Sequence, residues 1–154
     1  MLSGEKDRFR LLSKSYRNTI EISEYAGKIL SKVSFGRYKI DPVIRHGIPV
    51  QEYQLQTEEN MYELAADIIK KAKTDGHESI AVVCKIPTEA EWVGKWITDV
   101  EVLPVSQVKG LEFDVVLLWN PLTEEKLTDP KQAKLQYVAV TRALHELHIL
   151  RADR

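Results

Sequence analysis

The chain has 154 residues, of which 44% are hydrophobic and 29% charged, which is typical of a water-soluble domain and excludes collagen-like, low-complexity and disordered classes. Its 22 basic and 23 acidic side chains nearly cancel, so any nucleic-acid surface must be a local patch. With a single cysteine and four scattered histidines, the sequence predicts no disulfide, no closed zinc site and a cytoplasmic location. It contains no membrane-spanning run and no export signal.

The first helix is predicted after a short opening strand. We expect residues 1–8 to be frayed and the apolar alternation from Phe9 to form that strand. Asn18 and Glu21 have capping-box spacing, which predicts that a helix begins there and ends near Gly36.

Two extended runs between Ile40 and Gln56 then predict a hairpin or a tight crossing. The next helix is predicted between Thr57, which can cap it, and Gly76, which can end it. An unbroken apolar run at Ile80–Cys84 predicts a strand that is covered on both faces.

The second half continues the alternation of helices and strands. Thr88 and Glu91 have capping-box spacing and predict a third helix, and a fourth is predicted to begin at Asp129-Pro130. Strands are predicted at residues 100–105, 115–119 and 147–150. This order predicts an α/β fold with a mostly parallel sheet, helices on both faces and a single domain over residues 1–154.

Several side chains are expected to serve the core or the surface only. The last helix is apolar on two faces, one of which includes Leu135, and is predicted to be sandwiched. The three tryptophans lie on apolar faces and are expected in the core rather than as base-stacking platforms. Two histidines of the last strand are expected at an edge or on the surface: His145 and His148.

Ligands of parallel sheets bind beyond the carboxyl ends of the strands, which directs attention to residues that follow apolar runs. Three such segments are residues 15–18, 106–114 and 137–143. In the third, Arg142 is predicted to share a helical face with Leu135 and Val138. Its charge requires an anion, either a carboxylate or a phosphate, or the residue ends the helix and pairs with helix carbonyls or Glu146.

The other two segments are ambiguous when taken alone. Lys109-Gly110 with Glu112 can be a functional turn or a solvated turn with a surface ion pair. Tyr16-Arg17 can bracket a base and its phosphates, or it can cap the sheet edge.

Taken in order, the three segments resemble the late motifs of superfamily 1 helicases of the UvrD/Rep type. Leu12-Ser-Lys-Ser-Tyr16-Arg17-Asn18-Thr19 resembles the fourth motif, Val105-Ser-Gln-Val-Lys109-Gly110-Leu111-Glu112-Phe113-Asp114 the fifth, and Gln136-Tyr137-Val-Ala-Val-Thr141-Arg142-Ala143 the sixth. The lead-in Leu103-Pro104-Val105 is most similar to the HelD-like branch, which associates with bacterial RNA polymerase. The resemblance implies the second RecA-like motor domain of such a helicase.

This resemblance implies nucleotide contacts for four side chains. The residue at the place of Tyr16 stacks on adenine, and the residue at the place of Arg17 reaches the γ-phosphate. Glu112 matches a carboxylate that accepts a hydrogen bond from the ribose. Arg142 matches an arginine finger, which stabilises charge on the transferred phosphoryl group, so Arg142 and Arg17 are the implied catalytic residues.

The resemblance also implies a connection to nucleic acid. Lys109 and Gly110 match a turn that belongs to the nucleotide site and couples it to the strand-binding surface. Contacts to single-stranded nucleic acid are placed at Ser106 and Gln107, although many relatives carry Thr-x-His where this chain has Pro104-Val105-Ser106. The large accessory domain that relatives insert between the fourth and fifth motifs is expected to be absent or vestigial.

The sequence contains no Walker A motif, so the chain alone is not expected to hydrolyse ATP. The leading hypothesis is the C-terminal motor domain of an ATP-dependent DNA helicase or translocase, with ATP and Mg²⁺ held by an absent N-terminal motor domain. The alternative is a non-catalytic module that docks on RNA polymerase or nucleic acid.

Overall fold

The computed structural model describes residues 18–31, 47–123 and 126–152. Tyr16 and Arg17, the opening strand, the predicted stop at Gly36 and the first run of the predicted hairpin lie outside these ranges.

Five strands form one sheet in the order β1-β5-β4-β2-β3, and every neighbouring pair is parallel. The predicted α/β fold with a parallel sheet is therefore confirmed. The elements are α1 (Ile20–Ser31), β1 (Gln51–Leu55), α2 (Glu58–Thr74), β2 (Ile80–Cys84), α3 (Pro87–Trp96), β3 (Glu101–Pro104), a 3₁₀ turn (Val105–Gln107), β4 (Phe113–Trp119), α4 (Pro130–Val140) and β5 (Ala143–Ala152).

Two apolar layers cover the sheet because alternate residues of each central strand point to opposite faces. The layer of α1 and α4 covers one face, and its strand contributions include Val83 and Val116. The layer of α2 and α3 covers the other face, where Val82 and Leu117 lie. All residues of β2 are buried, as the unbroken apolar run predicted. Residues 47–107 form strands and helices of this sheet with short connections between them.

The predicted helix caps are correct for α2 and α4. Thr57 accepts a hydrogen bond from the Asn60 amide at 3.1 Å, and Asp129 accepts one from the Lys131 amide at 3.0 Å. Gly76 follows α2 with a φ of +93°, a left-handed conformation that favours glycine.

Two predicted capping boxes are wrong. Before α1 it is the hydroxyl of Thr19 that accepts from the Ile22 amide, at 3.3 Å, because Asn18 bonds elsewhere. Thr88 lies inside the first turn of α3, which begins at Pro87 after Ile86 without a side-chain cap. Proline at this position leaves one fewer amide to cap.

The prediction that all three tryptophans are core residues is correct only for Trp119, which is fully buried. Trp92 is 53% exposed and Trp96 is 67% exposed. The core stripe of α3 consists of Ala90 and Val93, so the two tryptophans project from a different side of this short helix.

Helix α4 is covered on one side only, which corrects the prediction that it is sandwiched. Leu135 is 40% exposed. A polar residue, Gln136, takes a buried position instead and donates a hydrogen bond to the Leu122 carbonyl at 3.1 Å. Of the second apolar stripe, Leu135 therefore faces outward, whereas Ala139 is buried in the core.

His148 is buried on β5, which lies between β1 and β4, so the prediction of an edge or surface position is wrong for this residue. Its Nε2 lies 2.9 Å from Glu146 Oε1, and its Nδ1 lies 3.2 Å from the Tyr53 hydroxyl. The other oxygen of Glu146 lies 3.1 Å from His77 Nε2. The His145 side chain is 41% exposed, in agreement with its predicted surface position.

Candidate functional site

The predicted site residues lie at two different edges of the sheet. Ser106 and Gln107 are exposed and follow β3 directly, at the carboxyl edge. Glu112 precedes β4 and Arg142 precedes β5, so both lie at the amino edge. The expectation that all three segments follow strand ends is therefore wrong, because a chain that leaves β3 must return to the opposite edge before it can start the parallel strand β4.

A tight turn carries the chain into β4. The Leu111 amide donates to the Val108 carbonyl at 2.9 Å, and Gly110 adopts a φ of +84°. A side chain at Gly110 would meet no atom within 4 Å, so the backbone conformation alone requires glycine here. Lys109 is exposed at the tip. The predicted sharp turn is confirmed.

Arg142 lies beyond the end of α4 rather than on its face. The helix ends at Val140, and the Arg142 amide donates to the Ala139 carbonyl at 3.2 Å. The Phe113 amide donates to the Arg142 carbonyl at 2.9 Å. This bond joins the turn that contains Arg142 to the chain segment that contains Glu112.

The guanidinium of Arg142 folds back on the end of the helix. Its Nε donates to the Val138 carbonyl at 3.1 Å. Nη1 donates to the Leu111 carbonyl at 3.4 Å, and Nη2 to the Thr141 hydroxyl at 3.2 Å. The predicted contact with a helix carbonyl is thus present, whereas Glu146 pairs with two histidines instead.

The charge of Arg142 is only weakly compensated. Burial lowers its pKa, and the attraction of Glu112 partly opposes this effect. All three acceptors of its hydrogen bonds are neutral oxygens. A guanidinium has five N–H donors, so two donors have no acceptor among the described residues. The group can therefore bind an external anion.

Asn18 is a residue of this edge that sequence reasoning assigned to the wrong role. Its side chain is buried, and Nδ2 donates to the Thr141 carbonyl at 3.0 Å and to the Ala143 carbonyl at 2.5 Å. The two acceptors flank Arg142. The only sequence signal for this role was the position of Asn18 directly after Arg17. The residue type itself favours the capping prediction, because asparagine commonly caps helices through local hydrogen bonds.

The start of α1 is held in place from a second side. The Gly47 amide donates to Glu21 Oε1 at 2.9 Å. A Cβ added at Gly47 would lie 2.5 Å from Cγ2 of Thr19, a residue that is 1% exposed. The close approach therefore requires glycine at position 47.

The carboxyl edge has a cleft of about 590 Å³ between the ends of β1, β2, β4 and β5. Two of the three cations that line it, Lys85 and Arg151, are engaged within the protein. Lys85 donates to the Asn120 carbonyl and pairs with Glu89. Arg151 pairs with Glu52 at 3.3 Å and donates to the Leu122 carbonyl at 3.3 Å.

The described residues offer neither a metal-binding cluster nor a membrane-spanning helix. They include no group of three His, Cys, Asp or Glu residues that could hold a metal ion. No helix among them has the length and apolar character needed to cross a bilayer.

Comparison with known proteins agrees with this geometry. Residues 99–150, about a third of the chain, match the model of the UvrD-like helicase C-terminal domain family. This segment includes the predicted fifth and sixth motifs, with Glu112 and Arg142. A sequence comparison with curated proteins gives no match.

A solved structure extends the likeness to most of the chain. It is the C-terminal domain of a possible DNA helicase from Lactobacillus plantarum WCFS1, with 23% identity and a TM-score of 0.72. The alignment covers 89% of this chain and 87% of that chain. The chain therefore has the RecA-like α/β fold of a helicase C-terminal domain, and its second half is similar in sequence to the UvrD-like family.

Proposed function

We propose that this chain is the C-terminal motor domain of an ATP-dependent DNA helicase or translocase, and that its amino edge completes an ATP site on a neighbouring domain. The observation that carries the proposal is Arg142, whose half-buried guanidinium lies at this edge with neutral acceptors and two N–H donors to spare. The family match over residues 99–150 and the fold of the solved relative support the same assignment.

The chemistry of phosphoryl transfer suits this group. Negative charge spreads over the oxygens of the transferred phosphoryl group, and a fixed cation in a partly dry site stabilises that charge more than water does. The bond from Nε to Val138 orients the fork, while the terminal nitrogens hold only the longer contacts. Arg142 would act as an arginine finger, with Arg17 as a second contact to the γ-phosphate.

The neighbouring residues fit the rest of a nucleotide. Glu112 lies close enough to attract Arg142 and would accept a hydrogen bond from the ribose, while Tyr16 would stack on the adenine. The turn of Lys109 and Gly110 lies between Glu112 and the exposed pair Ser106 and Gln107. Through this turn, a movement of the amino edge on nucleotide binding would be transmitted to a single strand of nucleic acid bound at the carboxyl edge.

The missing part of the site is the phosphate loop. The chain has no Walker A motif, so the β-phosphate and Mg²⁺ would be held by another domain, and closure of the two domains on ATP would drive movement along the strand. The relative is described as part of a possible DNA helicase, which favours DNA as the track. An RNA polymerase partner and the HelD-like branch stay predictions, because neither comparison bears on them.

The test is the substitution Arg142→Ala in the full-length protein. We expect the rate of ATP hydrolysis to fall about 10³-fold or more, since arginine fingers contribute 10³–10⁵ in rate. Arg142→Lys should not restore the rate, because an ammonium lacks the planar fork. Circular dichroism and a melting curve verify that both variants are folded. Unchanged turnover in folded Arg142→Ala protein refutes the proposal.

A further inference from the structure

We propose that Asn18 is a positioning residue for Arg142, an inference that rests on the proposed function. One side-chain nitrogen donates to the Thr141 carbonyl at 3.0 Å and to the Ala143 carbonyl at 2.5 Å. These acceptors are the residues directly before and after Arg142, more than 120 positions away in the sequence. We call this pair of hydrogen bonds the clamp, because one amide group holds the main chain on both sides of Arg142.

The clamp requires the chemistry of an amide. The NH₂ group of asparagine carries two hydrogens, one for each carbonyl, and Asn18 is only 3% exposed, so water is a poor substitute. Aspartate has the same shape, but it would place carboxylate lone pairs against two carbonyl oxygens. Alanine would leave both of these acceptors without the clamp.

The clamp acts on a segment without regular structure. Arg142 lies between the end of α4 and the start of β5, in a turn of two residues. On the sheet side its carbonyl is held by the Phe113 amide at 2.9 Å. Asn18 holds both flanks of the turn. Loss of the clamp frees the main chain of Arg142 to rotate, and a displacement of about 1 Å at a catalytic group can cost about 10²-fold in rate.

The other end of the clamp is firmly anchored. Asn18 precedes α1, which packs against α4 in the core, and Glu21 in the first turn of α1 accepts a hydrogen bond from the Gly47 amide at 2.9 Å. Asn18 itself would not touch the nucleotide.

The experiment is a double-mutant cycle in the full-length protein with Asn18→Ala, Arg142→Ala and both together. A radiolabelled-ATP assay follows turnover down to residual levels. We expect Asn18→Ala to lower kcat about 10²-fold, with KM for ATP changed less than about threefold because the arginine acts in the transition state. In the Arg142→Ala background, Asn18→Ala should have no further effect, because two residues that act as a unit are not additive.

A second readout follows the turn without nucleotide. Hydrogen exchange of a peptide that spans residues 138–145 should be faster in Asn18→Ala and in Asn18→Asp than in the unaltered protein. The matched control is Thr57→Ala, which removes the cap of α2 at the carboxyl edge. That variant should lose stability through its helix cap yet keep both its kcat and the slow exchange of the Arg142 turn.

The outcomes separate the two proposals. An equal loss of rate from Asn18→Ala in both arginine backgrounds would mean a merely structural role and would overturn the inference. Unchanged kcat or unchanged exchange at residues 138–145 would overturn it as well. If Arg142→Ala is itself fully active, the proposed function has failed. If Arg142→Ala is inactive but Asn18→Ala is normal, only the positioning role has failed.

Discussion

Among the described residues, each edge of the sheet holds one partly buried arginine, and the two arginines are compensated in different ways. At the carboxyl edge, Arg151 has a side chain that is 14% exposed and lies 3.3 Å from the carboxylate of Glu52. It also donates to the Pro121 carbonyl at 3.2 Å and to the Leu122 carbonyl at 3.3 Å. At the amino edge, Arg142 donates only to neutral oxygens among the described residues.

The difference shows which arginine has a structural role. Arg151 ties the loop after β4 to a neighbouring strand, and its charge is matched inside the chain. Within the described part of the chain, Arg142 has donors to spare and only the attraction of Glu112 to offset its burial. In a parallel sheet the carboxyl edge is the usual place for a ligand, but here the compensation of charge, rather than the edge, distinguishes the two residues.

The largest effect that tests this comparison is expected from Arg151→Ala. It should lower the free energy of unfolding by about 1–3 kcal/mol, because two partly buried loop carbonyls lose the donor that Arg151 provides and its ion pair with Glu52 is removed. The kcat of ATP hydrolysis in the full-length protein should change less than about threefold, unlike in Arg142→Ala. Urea denaturation and an ATPase assay check both quantities. A folded Arg151→Ala protein as inactive as Arg142→Ala would abolish the distinction between the edges.

A smaller effect is expected when alanine replaces either of two glycines that have similar positive φ angles. Gly110 has a φ of +84° and Gly76 a φ of +93°, and neither has an atom within 4 Å of an added Cβ. Alanine at either position should therefore cost a similar amount, about 1–2 kcal/mol of unfolding free energy. Only Gly110→Ala should also lower ATP turnover, because its turn leads to Glu112. Equal ATP turnover in the two variants would mean that the Gly110 turn does not belong to the nucleotide site.

The smallest effect concerns an exposed ion pair at the amino edge. The ammonium of Lys73 lies 2.9 Å from Asp99, and this hydrogen bond lowers the pKa of Asp99. Since the folded pKa lies below the unfolded value of about 4, the pair stabilises above that pH and is lost as the pH falls through the folded pKa. Asp99→Asn should cost less than about 1 kcal/mol at pH 7, because solvent screens the pair.

Urea midpoints of the two proteins at pH 7 and at pH 3 measure this contribution. The difference between them should shrink at the lower pH and in high salt. The control is Asp67→Asn, which alters an exposed aspartate that lies on α2. A difference that grows as the pH falls would contradict the assignment.

Most of the fold could be predicted because its signals are local. The apolar run at Ile80–Cys84, the cap at Thr57 and the Asp129-Pro130 start of α4 depend on residues a few positions apart, and the structure confirms each. The turn at Gly110 is local in the same sense. The roles of Tyr16, Arg17, Lys109, Glu112 and Arg142 in nucleotide binding stay predictions.

The errors arose where distant residues decide the outcome. Asn18 has the side chain of a cap, yet carbonyls more than 120 positions away compete for its amide. His148 is a polar residue near the end of the given sequence, yet β1 covers its strand and buries it. Trp96 was predicted in the core, yet it is 67% exposed because it projects from a different side of α3 than the buried residues Ala90 and Val93.

Periodicity and capping alone determined that this chain alternates helices with buried strands, since those preferences act over one or two turns of backbone. Which edge each polar segment reaches was decided only by the tertiary structure, because a parallel sheet forces the chain to return between strands. The same holds for Arg142. Its sequence position indicated a charge near a helix end, but whether that charge met a carboxylate or only neutral oxygens depended on segments that the fold brings together.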